Sequence, residues 1–405
     1  MKKAELLAPA GDMNKLKTAF YFGADAVYVG GKRFSLRALA GNFSDEELLS
    51  ATEYAHSLGK KIYVTVNILA RNDDLEEAKK YFVFLQNIGV DGAIISDAGL
   101  VSLCRVVAPD LPINLSTQAN TLNYAAVRFW RDLGVKRVIL ARELSLREIK
   151  EIRERVAGIE IETFIHGAMC ISYSGRCLLS DYRTGRSSNR GECVQACRWN
   201  YELREKGSNG AFMDMQQDER GTYILNSKDL CLVDYIDDLV KAGVCSFKIE
   251  GRMKSEYYLA TVINAYRRAM DDYYKNGVVY KNNILYTEEL EKTAHREFTT
   301  AYLCGENDRT ENFDDSQSSG THKFIATVIE GNKDGYVLIE MRNRFKSGDE
   351  LEILSPSESF NKKITVKKMT DENGNEIDDA KLVQQKIRLY TDIPLCKGDF
   401  LRKKI

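Results

Sequence analysis

Up to about residue 250 the apolar positions follow one repeating scheme: a stretch with helical spacing ends at a glycine, and a short run of β-branched and apolar residues follows at once. The scheme is clearest at Gly23-Ala-Asp-Ala-Val-Tyr-Val, Gly89-Val-Asp-Gly-Ala-Ile-Ile, Gly134-Val-Lys-Arg-Val-Ile-Leu and Gly243-Val-Cys-Ser-Phe-Lys-Ile, and looser at Gly59 and Gly158. Glycine suits the left-handed residue just past a helix end. The helices carry start signals of their own, with Ser44 and Glu47, and Ser145 and Glu148, at capping-box spacing, and Leu16, Ala19 and Phe20 forming an apolar stripe. This alternation predicts strands at Leu6 to Pro9, Ala26 to Gly30, Ile62 to Asn67, Ala93 to Ser96, Ile113 to Thr117, Arg137 to Ala141, Ile161 to His166 and Phe247 to Glu250. Eight such units favour a closed (β/α)8 TIM-like barrel over an open doubly wound sheet, and no Gly-x-Gly-x-x-Gly follows the first strand.

Two departures from the scheme define the rest of the layout. An insertion from Cys170 to about Val244 separates the seventh and eighth strands, far longer than an ordinary βα connection. After the eighth strand Glu256 to Lys275 reads as an amphipathic helix through Tyr258, Val262, Tyr266 and Met270, and a polar stretch then reads as a linker. From Lys323 onward the pattern changes to short alternating segments with turn signals at Asn332 to Gly335 and Asn373-Gly374, predicting a small C-terminal antiparallel β-barrel domain. The expected division is a barrel domain over 1–305 with the insertion at about 170–244, a linker over 306–321 and the β domain over 322–405.

Composition narrows the class of protein. With 44% apolar and 29% charged residues the chain can build a core, and 58 Lys plus Arg against 59 Asp plus Glu give a net charge of −1, with no general attraction to nucleic acid or membrane. No apolar run approaches a membrane span or a secretion signal, so a cytoplasmic protein is expected. In that reducing compartment the nine cysteines are poor material for disulfides. Five of them cluster. Strand seven runs into Glu162-Thr-Phe-Ile-His-Gly-Ala-Met-Cys170, then come Cys177, Cys193 and Cys197, and Cys231 is expected to open the next helical segment. The spacing is irregular for paired zinc knuckles, and four thiolates on a long loop at a barrel mouth equally suit an iron–sulfur cluster. Cys104, Cys245, Cys304 and Cys396 read as buried small residues.

Other chemistry is sparser. The four histidines form no His-Glu-x-x-His and no Gly-x-Ser-x-Gly elbow is present, so of the usual protease bases only His166 lies near the cysteines. Between Cys170 and Asn200, Arg176, Arg183, Arg186, Arg190 and Arg198 outnumber Asp181 and Glu192, a local patch able to seat phosphates or to hold a dicarboxylate. Tyr173, Tyr182 and Trp199 interleave with it and could stack on bases or pack the insertion. Lys248, Glu250, Arg252 and Lys254 leave the mouth of strand eight, where TIM barrels often bind anions.

The run from Glu162 through Phe164, Gly167, Cys170, Gly175 and Cys177 to Leu179-Ser180 resembles the motif of the collagenase-like peptidase family U32. The likeness extends to Asn189-Arg-Gly-Glu-Cys193-Val-Gln-Ala-Cys197-Arg-Trp, Asn226-Ser-Lys-Asp-Leu-Cys231, Lys248-Ile-Glu-Gly-Arg-Met-Lys254 and the opening Leu6-Leu-Ala-Pro-Ala-Gly11. Members were named as proteases, but for a chain of this size and layout the resemblance implies formation of 5-hydroxyuridine at the tRNA wobble position, with prephenate as co-substrate and dependence on iron–sulfur assembly. It also admits hydroxylation of a 23S rRNA cytidine or action in ubiquinone hydroxylation with a paralogous protein as partner. Carried over, a 4Fe-4S cluster would rest on Cys170, Cys177, Cys193 and Cys231, with Cys197 as the substitute. Glu162, His166, Arg176, Lys248, Glu250 and Arg252 are the candidate catalytic residues beside it.

Overall fold

Parallel strands covered on both faces read as unbroken apolar runs, and β2 (Ala26–Gly30) and β4 (Gly92–Ile95) are buried at every position. The structure, a computed structural model, describes residues 3–36, 41–170, 172–199, 217–218, 221–222, 227–276, 284–305 and 318–405. Between these strands and β1 (Glu5–Pro9), β3 (Lys61–Val66), β5 (Ile113–Leu115), β6 (Arg137–Ile139), β7 (Glu160–Ala168) and β8 (Ser246–Ile249) the pairing is parallel throughout. β8 pairs with both β1 and β7, so the sheet closes on itself as an eight-stranded barrel.

The helices between the strands are α1 (Met13–Tyr21), α2 (Asp45–Ser57), α3 (Leu75–Asn87), α4 (Ala98–Val107), α5 (Tyr124–Asp132) and α6 (Leu146–Arg155). Both expected capping boxes form, Ser44 with Glu47 opening α2 and Ser145 with Glu148 opening α6. Gly134, just past α5, has φ of +79°, the left-handed stop that lets the chain turn straight into β6. The insertion contains α7 (Leu179–Thr184) and ends in α8 (Ile236–Lys241), while residues 200–216, 219–220 and 223–226, Asn226 among them, lie outside the described residues.

Cys231 does not open a helix. It closes a short strand, Asp229–Cys231, that pairs antiparallel with the end of β7 and in parallel with Phe298–Thr299. Asp229 anchors this strand by taking the Arg296 guanidinium through Nε at 3.0 Å and Nη2 at 2.7 Å. The long helix α9 (Glu256–Asn276) is buried on most of its circumference because it packs on the barrel and also meets the C-terminal domain, where Tyr257 stacks on Phe324. Among the described residues no helix is long and apolar enough to cross a membrane.

In the C-terminal domain seven strands form one antiparallel sheet in the order Lys363–Thr365, Glu350–Leu354, Phe400–Lys404, His322–Lys333, Tyr336–Met341, Lys386–Tyr390, Met369–Thr370. Its inward positions, including Ile325, Val337, Ile353 and Leu389, build a core separate from that of the barrel. Residues 306–317 of the expected linker lie outside the described residues. α10 (Ile284–Leu290) carries Glu289, which reaches across to Arg402 of the β domain.

Candidate functional site

At the C-terminal ends of the barrel strands lies a cavity of about 210 Å³ whose wall includes Cys170, Cys177, Cys193 and Cys197. The loops that carry these thiols are tied to three separate βα loops of the barrel. Ser174 donates from its amide and its hydroxyl to Glu143 after β6, at 2.7 and 2.6 Å. Arg176 donates through Nε to the carbonyl of Gln118 after β5 at 2.7 Å. Arg190 grips Asp74 with both terminal nitrogens at 2.9 and 3.0 Å, and the amide of Leu69 donates to Asn189 O. A bidentate charged fork fixes direction as well as distance, so the cysteine loops sit on a rigid frame.

Each of three thiols accepts a backbone N–H from two residues further on: Leu179 N to Cys177 Sγ at 3.3 Å, Gln195 N to Cys193 Sγ at 3.4 Å, and the amide of Ser172 to Cys170. Burial raises the thiol of the half-buried Cys197, and proximity to Cys170, Cys193 and Cys177 raises it further. Thiols that crowd one another and resist ionising alone are the donor set a soft metal centre exploits, because the metal takes the place of the protons. Among the described residues no three His, Cys, Asp or Glu side chains stand at ligating distance of one point, so the cavity holds the donors without a drawn-up coordination shell.

Cys231 is outside the cavity wall. Its Sγ lies 3.8 Å from Tyr266 Oη, and burial raises its thiol to about 11, with the Val233 amide and the Tyr266 hydroxyl opposing. The fourth thiol of the cavity is Cys197.

The cavity floor is charged. Lys248 Nζ is 3.1 Å from Glu162 Oε1, and Arg137 Nη1 is 3.0 Å from Glu162 Oε2, so one carboxylate bridges two cations. Lys248 lines the cavity with its ammonium 4.4 Å from the ring centre of Tyr28, and burial lowers its pKa against the opposing pull of Glu162. Beneath it Arg137 also holds Glu5 at 2.7 Å and Glu160 at 2.7 Å, and these carboxylates outweigh its burial, so its guanidinium stays charged. Glu162 is thus one layer below the cavity and acts on it through Lys248. Arg252 reaches the wall while donating to Ser35 Oγ at 2.7 Å, Thr65 Oγ1 at 3.1 Å and Leu36 O at 2.9 Å, and Glu250 lies beside it, 3.4 Å from Tyr28 Oη. Gly167, with φ of +106°, lets β7 pass β8 here: a Cβ on it would stand 2.3 Å from Glu250 O.

Besides Cys231 and Glu162, two more of the expected residues lie off the cavity wall. Arg176 is an exposed anchor rather than part of the cavity wall. His166 is a correction. Plain alternation from Glu162 and Phe164 would turn it inward, but the register between β7 and β8 shifts so that His166 pairs with Ile249. Its ring is therefore packed among Tyr258, Tyr266 and Phe298 on the outer wall, where burial depresses its pKa to about 3 and keeps it neutral. It is not placed to serve as a base in the cavity.

Sequence reasoning missed Arg142, Gln118, Asn67 and Tyr28, all of which line the cavity. Arg142 lies 3.9 Å from the ring centre of Phe164 and donates to Ala168 O at 2.9 Å. Apart from Tyr28, which lies within β2, each of these follows a barrel strand's C-terminal end by three residues or fewer, and polar side chains at those positions were the available signal. Four cations, Arg142, Arg198, Lys248 and Arg252, face two carboxylates, Glu143 and Glu250, around the cavity.

Comparison with known proteins fits this layout. The model of Peptidase family U32 matches residues 11–312 and that of the Peptidase family U32 C-terminal domain matches residues 320–402. The chain is 42% identical to tRNA hydroxylation protein P1 of Bacillus subtilis over 99% of this chain and 95% of that protein. It is 39% identical to tRNA hydroxylation protein P of Escherichia coli, over 92% and 90%. It is 33% identical to the 23S rRNA 5-hydroxycytidine C2501 synthase of Escherichia coli, over 92% of this chain and 55% of that one.

Proposed function

The chain belongs to peptidase family U32, and on that footing we propose that it is an RNA-modifying hydroxylase that forms 5-hydroxyuridine at the wobble position of tRNA, with prephenate as co-substrate and a 4Fe-4S cluster as cofactor. One observation carries the reading: four thiols and four cations converge on a single cavity at the barrel mouth. Cys170, Cys177 and Cys193 would hold the cluster, with Cys197 as the fourth thiol of the same cavity and Cys231 as the alternative. A 4Fe-4S centre, when bound, supplies one-electron transfer beside the substrate.

The chain's own groups do the rest. Lys248, Arg142 and Arg252 present cationic donors to an anionic co-substrate, and Glu162 fixes the direction of the Lys248 ammonium. The names of the relatives, which specify tRNA and in one case rRNA, support an RNA substrate. A peptidase reading draws less support, because among the described residues no histidine lines the cavity and His166 lies in the barrel's outer wall.

Mass spectrometry of wobble nucleosides from a strain lacking this gene and its paralogues tests the reading. Loss of 5-hydroxyuridine, restored by the intact chain and not by Cys177→Ala, is expected; an unaltered level rejects it. Protein purified without oxygen should carry iron and sulfide lost in Cys170→Ala, and stoichiometric zinc instead would remove the cluster from the proposal.

A further inference from the structure

Exposed aromatic and long apolar side chains are ordinary when scattered and informative when they gather at an opening. On the cysteine-bearing loops and the loop after β8, Tyr182 is 85% exposed, Leu178 71%, Tyr173 52%, Met253 52% and Trp199 40%. They come from α7 and its approach, from the turn Tyr173–Gly175, from the residue after Ala196–Arg198 and from the loop after β8, so no single segment's packing accounts for them. Met253 lines the cavity, and so do Ser174, Leu179, Ser180 and Arg198, so the segments that carry the other four side chains wall the same cavity.

Cations stand next to two of these side chains in the chain. Arg198 precedes Trp199 and Lys254 follows Met253. Both donate to neutral oxygens, Arg198 to Gln195 Oε1 at 2.7 Å and Lys254 to Ala294 O at 3.4 Å, and Lys254 also faces Glu250. The one carboxylate they share, Asp229, is already gripped by Arg296 in a two-pronged charged contact. An excess of positive charge beside exposed rings matches a polyanion whose units also carry flat apolar faces.

We propose that this rim docks a single-stranded RNA loop, with bases stacked on Tyr182 and Trp199, phosphates on Arg198 and Lys254, and one base turned into the cavity. The proposal rests on the tRNA reading above and names the surface that would serve it. Unpaired bases are required, because in a duplex their faces are stacked on one another and only the backbone is offered. A base held in the cavity would present its edge to the charged floor and its neighbours to the rim.

The test measures binding of the full chain to an anticodon stem–loop RNA and to a duplex of the same stem without a loop, across a salt series. The loop is expected to bind more tightly than the duplex. Trp199→Ala and Tyr182→Ala should each weaken loop binding about tenfold and leave duplex binding unchanged. The pair Arg198→Gln and Lys254→Gln should lower the slope of log affinity against log salt by roughly 1.4, the value for two phosphates on a single strand. Variants whose melting temperature matches the parent's and whose loop affinity is unchanged would overturn the proposal, as would equal losses on loop and duplex. If these variants bind normally while the cellular nucleoside still depends on the chain, the rim is wrong and the hydroxylation stands. If the nucleoside is independent of the chain, the hydroxylation fails while the affinities still report on the rim.

Discussion

Among the described residues four arginines are buried almost completely, and two of them, Arg137 and Arg402, each sit in a fork between carboxylates and do different work. Arg137, inside the barrel, is 4% exposed and binds Glu5, Glu160 and Glu162. Arg402, in the β domain, is fully buried and binds both oxygens of Glu289, at 2.6 and 2.8 Å, and Glu352 at 2.8 Å. The first network ends upward in Lys248, which lines a cavity. The second ends in Lys292 and Asn361 and clamps α10 to the last strand of the β domain. Burial and ion pairing are common to both, so neither marks function; the open face at the end of the chain of contacts does.

The largest effect should come from breaking the clamp. Arg402→Met leaves the buried Glu289 and the half-buried Glu352 with only Lys292 as a charged partner, and a buried pair stripped of one member costs about 3–5 kcal/mol. Denaturant unfolding should show that loss while turnover per folded molecule is retained. A comparable loss of turnover would mean that the interface network reaches the site. Lys248→Met should do the reverse. Glu162 keeps Arg137 on its other oxygen, so the loss of stability should stay below that of Arg402→Met, while turnover falls about 100- to 1000-fold, the usual cost of one preorganised donor. Turnover within a few-fold of the parent would reduce Lys248 to a structural ion and erase the contrast.

Histidines sharpen the comparison at a smaller scale. His166, behind the barrel wall, has a folded pKa of about 3, set first by burial and then by His295 and Lys254, with Asp229 opposing. Because the folded value lies below the unfolded one of about 6.5, the neutral ring contributes stability that is complete above pH 6.5 and is lost as pH falls toward 3. That loss amounts to about 2 kcal/mol between pH 7 and pH 5. His166→Phe should flatten this part of the stability profile, and an unchanged profile would show that the ring is not sealed from water. At the clamp His322 is depressed to about 4 by burial, with Glu352 opposing and Arg402 and Lys292 reinforcing, so it should contribute a shallower loss of the same sign.

Much of the barrel was readable from the sequence because its signals are local. Helix stops at glycine, capping boxes at Ser44 and Ser145, and apolar runs such as Ala26 to Gly30 each reflect a preference expressed within a few residues. The cysteine loop was readable for the same reason, as a local density of one residue type. What was hidden depends on pairing between distant strands. The register shift that turns His166 outward exists only once β7 meets β8, and Cys231 is drawn into a strand by β7 and Arg296 together. The bridge from Arg137 through Glu162 to Lys248 joins three strands and carries no local pattern at all.

The smallest effect is the control that isolates burial. Arg344 makes the same kind of fork as Arg402, with Nε at 2.9 Å and Nη2 at 2.5 Å from the two oxygens of Asp379, and the geometry alone would rank the two contacts together. Arg344 is exposed on the β domain, so water already solvates both partners and salt screens what attraction remains. Holding two side chains in one arrangement then offsets the gain. Arg344→Ala should leave the unfolding transition where it is, at low and at high salt, while Arg402→Met moves it strongly under both. If the exposed fork proves as costly to remove as the buried one, contact geometry rather than desolvation sets the strength of these networks. The contrast between the barrel floor and the domain clamp would then have to be argued from distances alone.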